Sequence, residues 1–214
     1  RPLGIGVQNC PGAGCCGAVP HHLSDTERAR EMARRNIDAW YPALEGGAEA
    51  VVVTASGCNA HLHDYPKLLA ADPAYTEKAN ALLDKLRDPL QIIAAEPLEK
   101  LRLHPRPARV AVHTPCTLQH ALTLNGATEK LLATLGYELC TVEEGHLCCG
   151  SAGTYSILQS ELSQHLRERK LHALRADHPD VIVTANIGCL MHLEEVDGVP
   201  VRHWLNFVAE DLGR

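Results

Sequence analysis

The sequence has few aromatic residues and no hydrophobic run long enough to cross a membrane. Only 4% of its 214 residues are aromatic, and a single Phe is present. The longest wholly apolar runs are a few residues long, whereas a membrane-spanning helix needs about 20 apolar residues. No secretory signal is apparent, since Arg1, Pro2 and Leu3 lead directly into a globular pattern. We therefore expect a cytoplasmic protein that is not embedded in a membrane.

Clustered positive charge and familiar catalytic motifs are also absent. The formal net charge is -6 at pH 7, and no long basic run occurs. Because nucleic-acid binders usually carry a clustered basic face, we expect no nucleic-acid partner. The sequence contains neither a glycine-rich nucleotide loop nor a GxSxG nucleophile motif. We therefore expect no substrate-turnover site within this chain.

Cysteine and histidine, in contrast, are abundant. The chain has 9 cysteines and 13 histidines, and adjacent cysteines occur twice, as Cys15-Cys16 and Cys148-Cys149. Adjacent cysteines cannot easily reach disulfide geometry with each other, and the odd cysteine count also argues against a disulfide framework. In a protein without an export signal, clustered cysteines more often bind metal or carry out redox chemistry.

Two cysteine motifs occur twice, in the same order along the chain. The stretch VVVTASGCNAHL, which contains Cys58, is matched by VIVTANIGCLMHL, which contains Cys189 131 positions later. The Cys-Cys-Gly triplet that begins at Cys15 recurs 133 positions later, at Cys148. Two motifs repeated at nearly equal spacing indicate an internal duplication.

Each repeat alternates helical and strand patterns. In the first repeat, Ser24 and Glu27 predict a capping box for a helix that ends at Gly46, and residues 50–54 follow as a buried strand. The second repeat is predicted to contain helices at 117–135 and 155–176 and strands at 109–113, 137–142 and 181–184. This alternation predicts an α/β fold of two similar cysteine-rich repeats, each a small, mostly parallel sheet with helices.

The boundary between the repeats is predicted in a proline-rich joining segment. Prolines cluster between residues 87 and 108, most densely in HPRPAR, so we assign the first repeat to 1–104 and the second to 105–214. In parallel sheets, sites form beyond the carboxyl ends of the strands. Three cysteines fall just past predicted strands: Cys58, Cys116 and Cys189.

These positions define two sets of candidate ligands. The second repeat offers thiols from three separate segments, followed by a histidine three residues after the last: Cys116, Cys148, Cys149, Cys189 and His192. The first repeat offers the matching residues: Cys15, Cys16, Cys58 and His61. Adjacent cysteines cannot readily chelate one small tetrahedral ion, but they can bind different irons of a larger cluster.

The remaining candidates are interpreted as packing or surface residues. Cys10 and Cys140 have no partner in the repeat, so we expect them to pack as ordinary cysteines. His113, His120 and His146 flank the cysteines, and we place them at the surface or in a supporting role beside the ligands.

The motifs resemble the cysteine-rich CCG domain, which occurs in duplicate in the cysteine-rich subunit of heterodisulfide reductase. The chain also resembles, more closely, the C-terminal half of the iron–sulfur subunits of bacterial glycolate oxidases (glycolate dehydrogenases). The resemblance lies in CTLQHALTLNG, HLCCGSAGTYSI, VTANIGC, VRHW, RNIDAW and AEPLEKL, and it covers nearly the whole chain.

The resemblance implies a role in electron transfer. In such complexes a flavoprotein with FAD oxidises glycolate, and the iron–sulfur subunit passes the electrons towards quinone, which would bring the chain to the inner membrane only peripherally. The CCG repeats of heterodisulfide reductase hold non-cubane 4Fe–4S clusters with five cysteines each. The resemblance therefore implies an iron–sulfur cluster, 4Fe–4S and cubane or non-cubane, on the cysteines of the second repeat.

Two departures from that pattern keep alternatives open. Both repeats end in Cys-x-x-His, so the fifth position is His192 and not a thiol. The partner of Cys116 in the first repeat would precede residue 1, and the ferredoxin-like Cys-x-x-Cys-x-x-Cys motif is missing, so we expect a fragment of a longer protein. The open alternatives are a four-cysteine or His-ligated cluster, a structural zinc module for docking and assembly, and a thiol–disulfide switch.

Overall fold

The computed structural model describes residues 3–194 and 198–213. The chain forms two compact units. Ile5–Ile92 forms the first unit, and the second begins at Ile93 and holds the rest of the described chain together with Leu3 and Gly4. The division into sequence repeats at residues 104 and 105 stays a prediction.

The first unit is mainly helical and contains one pair of parallel strands. Its helices are α1 (Ala18–His22), α2 (Thr26–Glu45), α3 (Ser56–Leu62), α4 (Tyr65–Leu68) and α5 (Thr76–Lys85), and α6 (Pro89–Ala94) contains the boundary between the units. Strand β1 (Val51–Val52) pairs in parallel with β2 (Leu86–Arg87). The buried side chains that α2, α3 and α4 contribute include Ile37, Leu62 and Tyr65, which form the core of this unit.

The second unit is built on a four-stranded parallel sheet. Its strands are β3 (Arg109–His113), β4 (Glu138–Leu139), β5 (Val181–Thr184) and β6 (Val201–His203), in the order β4-β3-β5-β6. Its helices are α7 (Ala127–Thr134), α8 (Tyr155–Leu158), α9 (Ser160–Arg175), α10 (Ile187–Leu193) and α11 (Trp204–Ala209). A 3-10 turn at Leu98–Lys100 and a π-helical turn at Thr117–Ala121 complete the unit.

The architecture confirms the predicted α/β class with parallel sheets. The predicted strands at 109–113 and 181–184 form with those bounds, and every residue of β5 is buried, as expected for a strand covered on both faces. Within the described residues, no helix is both long enough and apolar enough to span a bilayer.

Three local predictions are wrong, each for a backbone reason. The cap of α2 is Asp25, whose carboxylate accepts from the Arg28 amide at 3.4 Å, whereas Ser24 adopts a left-handed φ of 67° and forms no capping box. The predicted helix 117–135 is interrupted before Gly126, which has φ 73°. The predicted helix 155–176 is divided at Gln159, where φ reaches -129°.

Candidate metal centre

The sheet of the second unit brings two cysteine segments to the same edge. Strands β3 and β5 are parallel neighbours, and their last residues, His113 and Thr184, are paired in register. Cys116 follows β3 at the start of the π-helical turn, and Cys189 lies in the first turn of α10, after β5. Both segments therefore lie beyond the carboxyl ends of adjacent strands, where ligand sites form in such sheets.

The Cys-Cys-Gly triplet reaches this edge through a turn that requires glycine. Gly150 has φ 93°, a left-handed conformation that side chains other than glycine rarely adopt. A Cβ atom at this position would lie 2.4 Å from the Ser163 carbonyl oxygen and 3.2 Å from the Leu166 Cβ, both on α9. The turn therefore packs directly on the backbone of α9, and this contact positions the two cysteines before it.

Four thiols of the second unit form one connected group. The Cys149 and Cys189 sulfurs are 3.2 Å apart, and these side chains are 2% and 4% exposed. Cys148 interacts with both Cys116 and Cys149, and the Gly150 amide donates to its sulfur at 3.3 Å. The structure thus brings together the four cysteines that the sequence selected from three separate segments.

The electrostatics of the group favour thiolates at two of the four positions. The interaction with the Cys116 thiol, followed by that with Cys149, lowers the pKa of Cys148. The interaction with Cys149 is the main cause that lowers the pKa of Cys189 to about 5. In return, the neighbouring sulfurs raise the pKa values of Cys116 and Cys149. Such thiol–thiolate pairs are prepared to lose their remaining protons to a metal, since thiolate is the ligating form.

His113 joins this group, although the sequence suggested only a surface or supporting role. Its imidazole is 1% exposed, and its ligand atom and the Cys149 and Cys189 sulfurs all lie within 4.8 Å of one another. The alternation of a strand could have indicated an inward side chain, but β3 is buried on both faces and so carries no such alternation. The only available signal was its place as the last strand residue before Cys116.

His192, the candidate from the Cys-x-x-His pattern, faces a different group. Its Nε2 lies 3.2 Å from the Ser163 hydroxyl, which donates its hydrogen to the Gly150 carbonyl at 2.9 Å. The hydroxyl oxygen is then left to accept, which assigns the Nε2 hydrogen to His192. His192 is not part of the close group of His113, Cys149 and Cys189.

A fully buried lysine interacts with the cysteines of this group. Lys170 on α9 is 0% exposed, and its Nζ donates to the Glu144 and Gly145 carbonyls at 3.3 and 3.1 Å. Burial lowers the pKa of Lys170, whereas the sulfurs of Cys149, Cys148 and Cys189 act in the opposite direction and favour the ammonium. Through its hydrogen bonds to these two carbonyls, the lysine stabilises the loop that leads to the Cys-Cys-Gly turn. Sequence reasoning missed it, because lysine is rarely fully buried.

The first unit brings its cysteines together less completely. Cys16 is buried, Cys15 is exposed and Cys58, in the first turn of α3, is half-buried. The interaction of Cys16 with Cys58 lowers the pKa of Cys58 to about 7 and raises that of Cys16. In the part of the chain that the structure describes, no three potential ligand atoms of this unit lie as close together as those of His113, Cys149 and Cys189.

His61 lies in a small group of histidine rings. It is 3% exposed, and its ring centroid is 5.3 Å from that of His21 and 5.9 Å from that of His22. Burial, followed by the charge of His21, lowers the pKa of His61 to about 4, so this imidazole is neutral near pH 7. Neither of its ring nitrogens has a hydrogen-bond partner among the described residues. The sequence did not connect His21 or His22 with His61.

The two cysteines that the sequence assigned to packing lie outside these groups. Cys140 is 9% exposed within the core of the second unit, and its sulfur lies 3.6 Å from the Asp177 carbonyl oxygen. Cys10 is half-buried, and its own carbonyl accepts from the Ala13 amide at 3.0 Å.

Comparison with known proteins identifies relatives of this chain. The chain is 47% identical to the glycolate oxidase iron-sulfur subunit of Escherichia coli (strain K12), over 98% of this chain and 51% of that protein. It is 33% identical to the probable glycolate oxidase iron-sulfur subunit of Bacillus subtilis (strain 168), over 86% of this chain and 41% of that protein. It is 29% identical to lactate utilization protein A of Bacillus licheniformis, over 89% of this chain and 79% of that protein.

The chain therefore spans about half the length of the first of these relatives and less of the second. Its sequence also matches the cysteine-rich domain family, CCG, over residues 1–63 and 110–194. The matched segments contain all the cysteines and histidines of the two candidate ligand sets. This chain belongs to the CCG cysteine-rich domain family.

Proposed function

We propose that this chain is the electron-relaying, cysteine-rich part of the iron–sulfur subunit of a glycolate dehydrogenase. The observation that carries the proposal is the connected group of four thiols in the second unit, with Cys149 and Cys189 3.2 Å apart and nearly inaccessible to solvent. Membership of the CCG family and the similarity to proteins named glycolate oxidase iron-sulfur subunits support it.

The donor set fits an iron–sulfur cluster. Thiolates are the ligands that such clusters favour, and four cysteines from three segments of the chain come together near one edge of the sheet: Cys116, Cys148, Cys149 and Cys189. An iron–sulfur cluster, when bound, supplies one-electron transfer. The residues of this chain would hold it, shield the Cys149 and Cys189 sulfurs from water, and add the buried ammonium of Lys170, which interacts with the thiols. The cluster is proposed to be 4Fe–4S, in cubane or non-cubane form.

The first unit is proposed to carry a second, less complete ligand set. Cys16 and Cys58 interact in it, with Cys15 and His61 on the same two segments of chain. We assign these residues to the first CCG repeat, at 1–104, and the four-thiol group to the second, at 105–214.

The proposed partners are those that the resemblance to glycolate oxidase iron–sulfur subunits implies. A flavoprotein subunit with FAD would oxidise the 2-hydroxy acid and deliver electrons to this chain, which would pass them towards quinone. Glycolate is proposed as the substrate because the two relatives named for glycolate share more identity with the chain than the relative named for lactate utilization. The complex is proposed to lie in the cytoplasm, at the periphery of the inner membrane.

The proposal can be tested by analysing iron, acid-labile sulfide and zinc in protein purified without oxygen. The whole chain would be compared with Cys148→Ser and with Cys140→Ser, a control that changes a buried cysteine of the same unit outside the thiol group. We expect the wild type and the control to contain iron and sulfide and to give an electron paramagnetic resonance signal when reduced. Cys148→Ser should lose the iron, the sulfide and the signal. Equal iron in all three proteins would contradict the ligand assignment.

One observation favours a second function, a structural zinc module that docks the flavoprotein. His113 lies within 4.8 Å of two thiols, and a mixture of imidazole and thiolate ligands is typical of zinc sites. In that case the same analysis would give stoichiometric zinc without sulfide and no resonance signal. A protein with neither metal, but with a readily formed Cys149–Cys189 disulfide, would instead indicate a thiol–disulfide switch.

A further inference from the structure

His113 is a buried polar side chain whose hydrogen-bonding capacity is unused by nitrogen or oxygen groups of the protein. It ends strand β3, and neither ring nitrogen has a partner of ordinary hydrogen-bond geometry among the described residues. Native structures rarely leave a buried polar group unpaired, because no hydrogen bond then compensates for its desolvation. His113 does interact with the Cys189 thiol, whose pKa it helps to lower, so the buried imidazole faces the sulfurs and has no ordinary hydrogen-bond partner among the described residues.

The surroundings of the imidazole indicate the nature of that partner. Its ligand atom and the Cys149 and Cys189 sulfurs all lie within 4.8 Å of one another, and all three side chains are buried. Three soft or borderline donors directed at one small volume are the donor set of a transition metal. The backbone fixes the position of the imidazole, because His113 is paired with Thr184 in the middle of a parallel sheet.

His192, which the Cys-x-x-His pattern would favour, has no free Nε2. The Ser163 hydroxyl gives its only hydrogen to the Gly150 carbonyl and accepts from this nitrogen, so the Nε2 of His192 is engaged by the protein itself. His192 therefore supports the Cys-Cys-Gly turn, whereas His113 faces the sulfurs.

We propose that His113 is the nitrogen ligand of the metal centre that Cys116, Cys148, Cys149 and Cys189 hold, and that His192 is not a ligand. This proposal rests on the proposed function only for the identity of the metal. An imidazole in place of a fifth thiolate makes the centre less negative by one charge. Replacement of thiolate by histidine raises the reduction potential in other iron–sulfur proteins, so His113 would set the potential of this centre.

The test compares His113→Gln and His113→Cys with His192→Ala in the whole chain, purified without oxygen and labelled with nitrogen-15 histidine. Pulsed electron paramagnetic resonance on the reduced protein would measure the coupling of histidine nitrogen to the cluster. We expect a strong coupling in the wild type and in His192→Ala, and its loss in both His113 variants. His113→Cys, which restores a thiolate, should keep the iron content while its reduction potential falls.

The other outcomes separate the two proposals. Iron and sulfide without any nitrogen coupling, or a coupling lost only in His192→Ala, would overturn the assignment of His113 and leave the electron-relay function intact. If the protein holds zinc, the relay function fails, and X-ray absorption at the zinc edge reads the ligand directly. Loss of one nitrogen scatterer in His113→Gln alone would then support His113. A chain that binds no metal would overturn both proposals.

Discussion

The Cys-Cys-Gly turns of the two units are built alike. In each, a Cys-Cys-Gly turn packs on the following long helix through a glycine with positive φ, 88° at Gly17 and 93° at Gly150. A Cβ at Gly17 would contact Ala29 and Met32 of α2, as one at Gly150 would contact Ser163 and Leu166 of α9. Ser163 lies 134 positions after Ala29 in the chain. The contacts thus extend the correspondence of the repeats from the cysteines to the helix beneath them.

The same correspondence shows where the units differ in charge. Lys170 lies 134 positions after Asn36, and both side chains are fully buried. Asn36 donates to the Cys15 carbonyl at 3.0 Å and accepts from the Gly14 amide at 2.8 Å, so a neutral amide supports the first turn. An ammonium supports the loop before the second turn. The two units therefore share the Cys-Cys-Gly turn and differ in the charge of the buried side chain that supports it.

Replacing the glycine of each turn by alanine should produce the largest difference between the two units. We expect Gly150→Ala to lower the free energy of opening of α9 by roughly 3 kcal/mol, since the new Cβ would both adopt a strained φ and overlap a backbone oxygen at 2.4 Å. Gly17→Ala should lower that of α2 by only roughly 1 kcal/mol, because its nearest contact, the Ala29 oxygen, is at 3.3 Å. Hydrogen exchange followed by mass spectrometry on the whole chain measures each helix. Equal losses would mean that the second turn can move away from α9.

The buried charge gives the next test. A positive charge stabilises the reduced, more negative state of a bound cluster, so Lys170→Gln should lower its reduction potential by on the order of tens of millivolts. Glutamine retains a donor for the Glu144 and Gly145 carbonyls, which separates charge from support of the loop. Lys130→Gln, at an exposed position of the same unit, controls for net charge. Potentiometric titration measures all three proteins, and equal potentials in the wild type and Lys170→Gln would show that the ammonium acts only on the loop.

Local pattern was sufficient to predict strands β3 and β5 and the two cysteines that follow them, whereas strands β2 and β6 were not predicted. Strands β3 and β5 are short β-branched runs, and parallel pairing places Cys116 and Cys189 at one edge without further information. The interruption near Gly126 also had a local signal, because Asn125 and Gly126 form a pair that is typical of turns, but the helical pattern on both sides was given more weight.

The polar residues around the cysteines depend on contacts between distant segments. His113 faces sulfurs that lie more than thirty residues later in the chain, at Cys149 and Cys189, and nothing in β3 itself indicates which way its last side chain points. Lys170 is buried because α9 packs over the loop at Glu144. The sequence repeat identified His61 and His192 as equivalent but could not show that only one has a hydroxyl partner.

Removal of the Ser163 hydroxyl should have the smallest and most local effect. Ser163→Ala would give the second unit the residue that the first has at Ala29, and would remove the bonds to the Gly150 carbonyl and to His192. We expect the free energy of opening of α9 to fall by about 1 kcal/mol, with iron content unchanged because His192 supports the turn and is not a ligand. Nuclear magnetic resonance of the ring nitrogens would follow the Nε2 hydrogen of His192, which should exchange faster with water in Ser163→Ala. If iron falls with the hydroxyl, His192 contributes to the metal centre through this bond, and the two histidines of the repeat have diverged less than their hydrogen bonds indicate.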